Sequence, residues 1–151
     1  MIDFIHVETK TELVSAIYMT NTNQYVPQVL YSVKVQDLNK GDIVSLTSAY
    51  ELTTSYNFDV MISSNVSISP FNPTVYGDIL DESRGYNINY STHHGVTNHL
   101  RQVKLNKDYP GINYINTVVW SASTAAKPNM QDSLYVEKGH GHLDVIIYKK
   151  I

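Results

Sequence analysis

The chain has 151 residues, a net charge of −3 and no cysteine. That is the scale of one domain with its own core, and it excludes disulfides, zinc–thiolate centres and thiol nucleophiles. Only 17% of residues are charged, and Tyr numbers 12 against 3 Phe and 1 Trp, so the surface must be built largely from Tyr, Asn, Ser, Thr and Gln.

The Lys and Arg residues are scattered along the chain and read as no basic stripe for nucleic-acid phosphates. No apolar run approaches the length that spans a bilayer. The opening MIDFIHVETK lacks the charged start and apolar core of a secretory signal. Neither nucleic acid nor membrane is an expected partner.

The dominant hydrophobic period is two. In chain order, strands are expected over residues 4–8 and 13–20. TELVSAIY also fits a short helix capped by Thr11, but its Val, Ile and Tyr content favours a strand. Residues 1–24 either join the main domain or reach out as an arm. In QVLYSVKVQ, Val29, Tyr31, Val33 and Val35 share a face. LNKGD then marks a turn in which Gly41 takes a positive φ. Further strands are expected over residues 42–48, 58–62 and 66–69.

Residues 76–99 carry the least pattern and read as a long loop, or as short strands with an excursion. Asp78, Asp81 and Glu82 lie within it as a solvated acidic cluster, with a calcium loop as the sharper alternative. Strands resume over residues 100–106, 114–121 and 133–137. The final stretch, GHGHLDVIIYKK, places Leu143, Val145 and Ile147 on a core face. His142, Asp144, Ile146 and Tyr148 fall on the other. Many short strands punctuated by Gly, Pro and Asn turns make this an all-β chain, an antiparallel β-sandwich of jelly-roll-like form, as one domain over residues 1–151.

Several residues are candidate sites. His140 and His142 stand two apart, so on a regular strand their rings point the same way and could share an ion with His94 as third ligand. Against this, no carboxylate follows at the spacing of cupin-type sites, and the flanking glycines suggest a turn. The bland reading is a histidine row at an edge or a subunit contact. In STHHGVTNH the adjacent His93 and His94 point apart, so only one faces any given partner; packing against a neighbouring subunit, with His93, His99 and Tyr86 as interface residues, is expected ahead of a protonation switch. Trp120 on an alternating strand is most simply core. Its sharper reading is a sugar-stacking platform with Tyr114 and Tyr90. Motifs for nucleophilic, phosphate-binding or zinc-protease chemistry are absent from the sequence, so no catalytic residue and no cofactor is expected.

Four stretches together carry a resemblance: NFDVMISSNVSISPF, YNINYSTHHGVTNHLRQVKLN, INTVVWSAS and the closing GHGHLDVIIYKK. They resemble bacteriophage virion proteins with a jelly-roll or related β-sandwich, such as head-decoration, auxiliary-capsid and fibre-associated modules. The resemblance implies a non-enzymatic structural protein located in the virion. It also implies a homo-oligomer, typically a trimer, docked on other virion proteins. A carbohydrate-binding β-sandwich that meets a host-surface glycan is the alternative reading. A metal-dependent β-barrel enzyme built on the histidine pair stands behind it.

Overall fold

The structure is a computed structural model of the chain. It describes residues 2–8, 17–19, 28–54, 60–70, 77–88, 93–123, 132–135 and 141–151. These form ten strands: β1 (Ile2–Glu8), β2 (Ile17–Met19), β3 (Gln28–Leu38), β4 (Ile43–Thr54), β5 (Val60–Ser69), β6 (Asp78–Ile88), β7 (His93–Lys104), β8 (Tyr109–Ser123), β9 (Asp132–Tyr135) and β10 (Gly141–Lys150).

The pairing is nested. β5 runs antiparallel to β6, β4 to β7, β3 to β8 and β1 to β10. The chain is therefore one long hairpin folded back on itself and then rolled. Rolling brings β10 alongside β4 and β8 alongside β5. Two antiparallel sheets result. One runs β1-β10-β4-β7, and β9 and β2 extend it beside the far end of β4. The other runs β3-β8-β5-β6. A hairpin rolled into two facing sheets is a jelly roll, and the all-β sandwich expected from the hydrophobic period is what forms.

Alternation fills the space between the sheets. Val44 and Leu46 on β4 and Leu143, Val145 and Ile147 on β10 point inward from one sheet. Val33, Val35, Val66, Ile68, Ile115 and Val119 point inward from the other, and all are buried. Burying each such side chain contributes on the order of 1.5–3 kcal/mol before the chain-ordering cost. Gly141 has a steric reason: a Cβ there would lie 2.1 Å from the Tyr31 hydroxyl, which reaches across from β3.

Two expectations need correction, and one open alternative is decided. Residues 76–99 form strands rather than a long loop. Most of the stretch belongs to β6 and β7, which lie at the open edges of their sheets. Edge strands carry charges that keep them from pairing with other chains, so their alternation is interrupted by Asp81, Glu82 and Arg101 and is hard to read. Asp78 and Asp81 are accordingly strand residues rather than members of a solvated loop. Val29 does not share the face of Tyr31, because a β-bulge between them shifts the register and turns Leu30 inward.

Ile2–Glu8 pair along β10 of the same chain, so this part of residues 1–24 belongs to the sandwich. Only Ile17–Met19 of the expected second strand lie within the described residues. The turn at Gly41 is as expected, with φ at +96°.

Candidate functional site

Three polar arrangements stand out, and none is legible as a motif. The first lies between the sheets. His99 projects inward from β7, with Ser48 opposite it on β4. Its ring bridges the sandwich: Nε2 is 2.8 Å from Ser64 Oγ on β5, and Nδ1 is 2.7 Å from Asp81 Oδ2 on β6. Arg101 reaches the other Asp81 oxygen at 3.6 Å. Nearby, Ser48 and Thr117 share a 2.8 Å hydrogen bond between the same two sheets.

Ser64, His99 and Asp81 hold the nucleophile–base–acid order of hydrolase triads. Here, however, Ser64 and His99 are each only 1% exposed, so no substrate carbonyl has a path to the hydroxyl. What the array does is tie the open edges of the two sheets together. The expectation that His99 faces a neighbouring subunit is therefore corrected: its side chain has no exposed surface.

The second arrangement lies on the outward face of the β3-β8-β5-β6 sheet. Register places Asn65 beside Val118, Ser67 beside Asn116 and Ser69 beside Tyr114. All but Tyr114 are buried, although they point away from the core. Among the described residues, the Asn65 Oδ1, the Ser67 Oγ and both side-chain polar atoms of Asn116 meet no hydrogen-bond partner. An enclosed orphan amide costs about 1–3 kcal/mol relative to an apolar group of similar shape. Asn116→Leu is therefore expected to raise the unfolding free energy by about 1 kcal/mol, measured by chemical denaturation. A loss of comparable size would mean that the amide has found partners after all.

Tyr114 is half-buried on this face, and Trp120 occupies a register position on it opposite Ser63. Tyr90 lies outside the described residues, as does His140. Tyr86 is placed on β6 opposite Ile62.

Of the candidate metal ligands, the two that lie on described strands, His142 and His94, sit apart. His142 pairs with Ala49 and His94 with Thr53, four residues further along β4. At about 3.3 Å per residue, that is roughly 13 Å along the strand, with β4 itself between them. Among the described residues no three His, Asp or Glu side chains converge on a common point. His93 stands opposite Thr54.

The third arrangement is at one end of the sandwich and is organised by Asp42. This carboxylate is fully buried. Its Oδ2 accepts from the Asn39 backbone N–H at 2.8 Å, and its Oδ1 from the Lys150 N–H at 2.8 Å. The Lys149 ammonium lies 3.4 Å away. Burial pushes the Asp42 pKa up. The two N–H donors and Lys149 outweigh burial and hold it below the usual carboxylate range.

Backbone bonds from Gly41 to Leu105 and from Leu105 to Asp42 zip the β3–β4 turn to the end of β7. Beside them, Asp78 accepts from Lys107 and from the Tyr109 hydroxyl, which together lower its pKa despite partial burial. Burial, reinforced by Asp78, pushes Tyr109 up to about 12. Lysines that look scattered in sequence gather here: Lys40, Lys104, Lys107, Lys149 and Lys150 belong to this end, out of 11 Lys and Arg in the chain.

No protein-family model matches the chain, and no curated protein matches it in sequence. Solved structures do. A chain in the structure of infectious bursal disease virus, Gt strain, superposes over 99% of this chain with a TM-score of 0.60 at 9% identity. The T=1 particles derived from the same virus contain a chain with a TM-score of 0.57 at 10% identity, again over 99% of this chain. Its VP2 subviral particle gives 0.52 at 10% identity. The likeness is one of fold. This chain spans 36–38% of the length of those viral chains, so it corresponds to a single jelly-roll unit within them.

Proposed function

We propose that the protein is a non-enzymatic structural subunit that associates with copies of itself and docks on a larger virion assembly. The observation that supports this reading most directly is the rolled, nested hairpin, which matches a unit of virus-particle chains over nearly its whole length. A phage virion is the setting we favour, with the chain acting as a capsid-decoration, auxiliary-capsid or fibre-associated module and a trimer as the closed form.

The outward face of the β1-β10-β4-β7 sheet suits such contacts. Ile43, Ile146 and Tyr148 lie together there by register, with His142 and Asp144 further along β10. Leu100 on β7 is 79% exposed.

Sedimentation of the purified protein, compared with an Ile146→Asp variant, tests the proposal. A closed oligomer that falls apart by at least roughly tenfold in dissociation constant, with the fold intact, is the expected result. A protein that is monomeric at every concentration, alone and with its virion, would remove the proposal.

A further inference from the structure

The Asp42 end of the sandwich holds an open cleft of about 410 Å³ lined by Lys40, Gly41, Lys104, Leu105, Asn106 and Lys150. We infer that this cleft binds a small ligand carrying clustered sulfate or phosphate groups, recognised by the ammonium groups of Lys40, Lys104 and Lys150.

Three observations point there. First, the three lysines come from three different elements: the β3–β4 turn, the end of β7 and the end of β10. Those elements are held in place by backbone bonds and by a buried carboxylate. Leu105 joins Gly41 and Asp42 through the backbone, and Asp42 grips both Asn39 and Lys150. The charges are thus brought together by the fold, not by proximity in sequence.

Second, the lining of the cleft carries three cationic side chains and no acidic one. The acids around it are already engaged. Asp42 faces two N–H donors and Lys149, and Asp78 faces Lys107 and Tyr109. Asp108, at the rim, accepts from the Lys40 backbone N–H at 2.7 Å. Among the described residues, none of the ammonium groups of Lys40, Lys104 and Lys150 meets a carboxylate. An anion seated in this concave site would face three cationic side chains at once.

Third, Gly41 gives Lys150 its place. A Cβ at position 41 would lie 2.8 Å from Lys150 Cδ, so the lysine stem runs over the glycine into the cleft.

Size and surroundings favour a small anionic ligand over a nucleic-acid strand. The rest of the chain carries a net negative balance, which disfavours a phosphate backbone running on beyond the cleft. A sulfated sugar terminus and a free polyphosphate share the required chemistry. Lysine suits both, because it acts as a point charge without demanding planar geometry.

The test is titration calorimetry of the full chain at low ionic strength with three probes: tripolyphosphate, a heparin-derived tetrasaccharide and a twelve-nucleotide RNA. The triple variant Lys40→Gln, Lys104→Gln, Lys150→Gln is compared with Lys34→Gln, an exposed lysine on β3 outside the cleft. Saturable one-to-one binding of tripolyphosphate or the tetrasaccharide is expected. It should weaken by at least roughly tenfold in the triple variant and remain unchanged in Lys34→Gln. The tetrasaccharide binding alone assigns the sulfated-sugar source, and tripolyphosphate binding alone assigns free phosphate. Equal weakening by Lys34→Gln, no saturable binding of either small probe, or tighter binding of the RNA each overturns the inference.

Discussion

His99→Ala is expected to lower the unfolding free energy by about 3–4 kcal/mol, the largest effect of any single polar substitution in the described structure. The ring is fully enclosed, so its removal leaves a cavity that the surrounding strands fill only in part. It also strips partners from two groups at once: Ser64 Oγ, enclosed with it, and the Asp81 carboxylate. A buried acceptor or donor left alone costs about 1–3 kcal/mol, and the cavity adds to that.

The position matters as much as the chemistry. β6 and β7 are edge strands of opposite sheets. Ser64 and Asp81 meet His99 across the gap between the sheets. Guanidinium denaturation of wild type, Ser64→Ala, His99→Ala and the double variant measures this directly. Ser64→Ala should cost about 1–2 kcal/mol in the wild-type background and clearly less once His99 is gone, a coupling of about 1 kcal/mol. Strict additivity, or a His99→Ala cost below about 1 kcal/mol, would show that the ring is a bystander.

Asp42→Asn is the second large effect, expected at about 3 kcal/mol at neutral pH. The substitution keeps the shape. It replaces an acceptor oxygen with an N–H₂ group facing a backbone N–H that must donate, and it leaves Lys149 without its counter-charge. The loss is expected to depend on pH in one direction. A carboxyl whose folded pKa lies below its unfolded value adds stability above the unfolded pKa, and that stability disappears as pH falls through the folded value. Asp42 is held low by Asn39, Lys150 and Lys149 against the opposing effect of burial.

The difference between wild type and Asp42→Asn should therefore be full at pH 7 and shrink progressively below about pH 4. Asp78, also held low through Lys107 and Tyr109, titrates in both proteins and cancels in the comparison. A gap that stays constant from pH 7 to pH 2.5 would mean that the carboxylate charge contributes nothing. The variant also separates two roles of this end of the sandwich: it should loosen the frame that positions Lys150 and Lys40 without removing either positive charge.

Much of the architecture was legible before the structure. Val33 and Val35, Val66 and Ile68, and Leu143, Val145 and Ile147 alternate along their strands, and each faces the core. Such strands lie centrally or pack one whole face inward, so burial imposes the period of two directly. The Lys40-Gly41 turn was readable for a local reason as well, because only glycine enters the left-handed region without strain. The same reasoning was weaker at β6 and the first half of β7, where it left a long loop and short strands both open. Their polar edge residues break the alternation, and what makes them strands is their long pairing with β5 and β4.

The site residues were less legible. His99 carries no local signal that distinguishes it from His93, His94 or His142. Its partners lie 35 and 18 residues away in the chain, and nothing in STHHGVTNH marks which histidine turns inward. Asp42 had a weak signal, an aspartate directly after a Lys-Gly turn, where a carboxylate can accept from nearby backbone. Its bond to Lys150, 108 residues on, had none.

By itself, the sequence determined the class of fold, the faces of the central strands and the absence of thiol chemistry, because those depend on residue type and on the short period of an extended chain. Only the tertiary structure decided which polar residues meet. Rolling the hairpin places strands from opposite ends of the chain side by side. That step puts His99 between Ser64 and Asp81, closes Asp42 over the last strand and draws Lys40, Lys104 and Lys150 around one cleft.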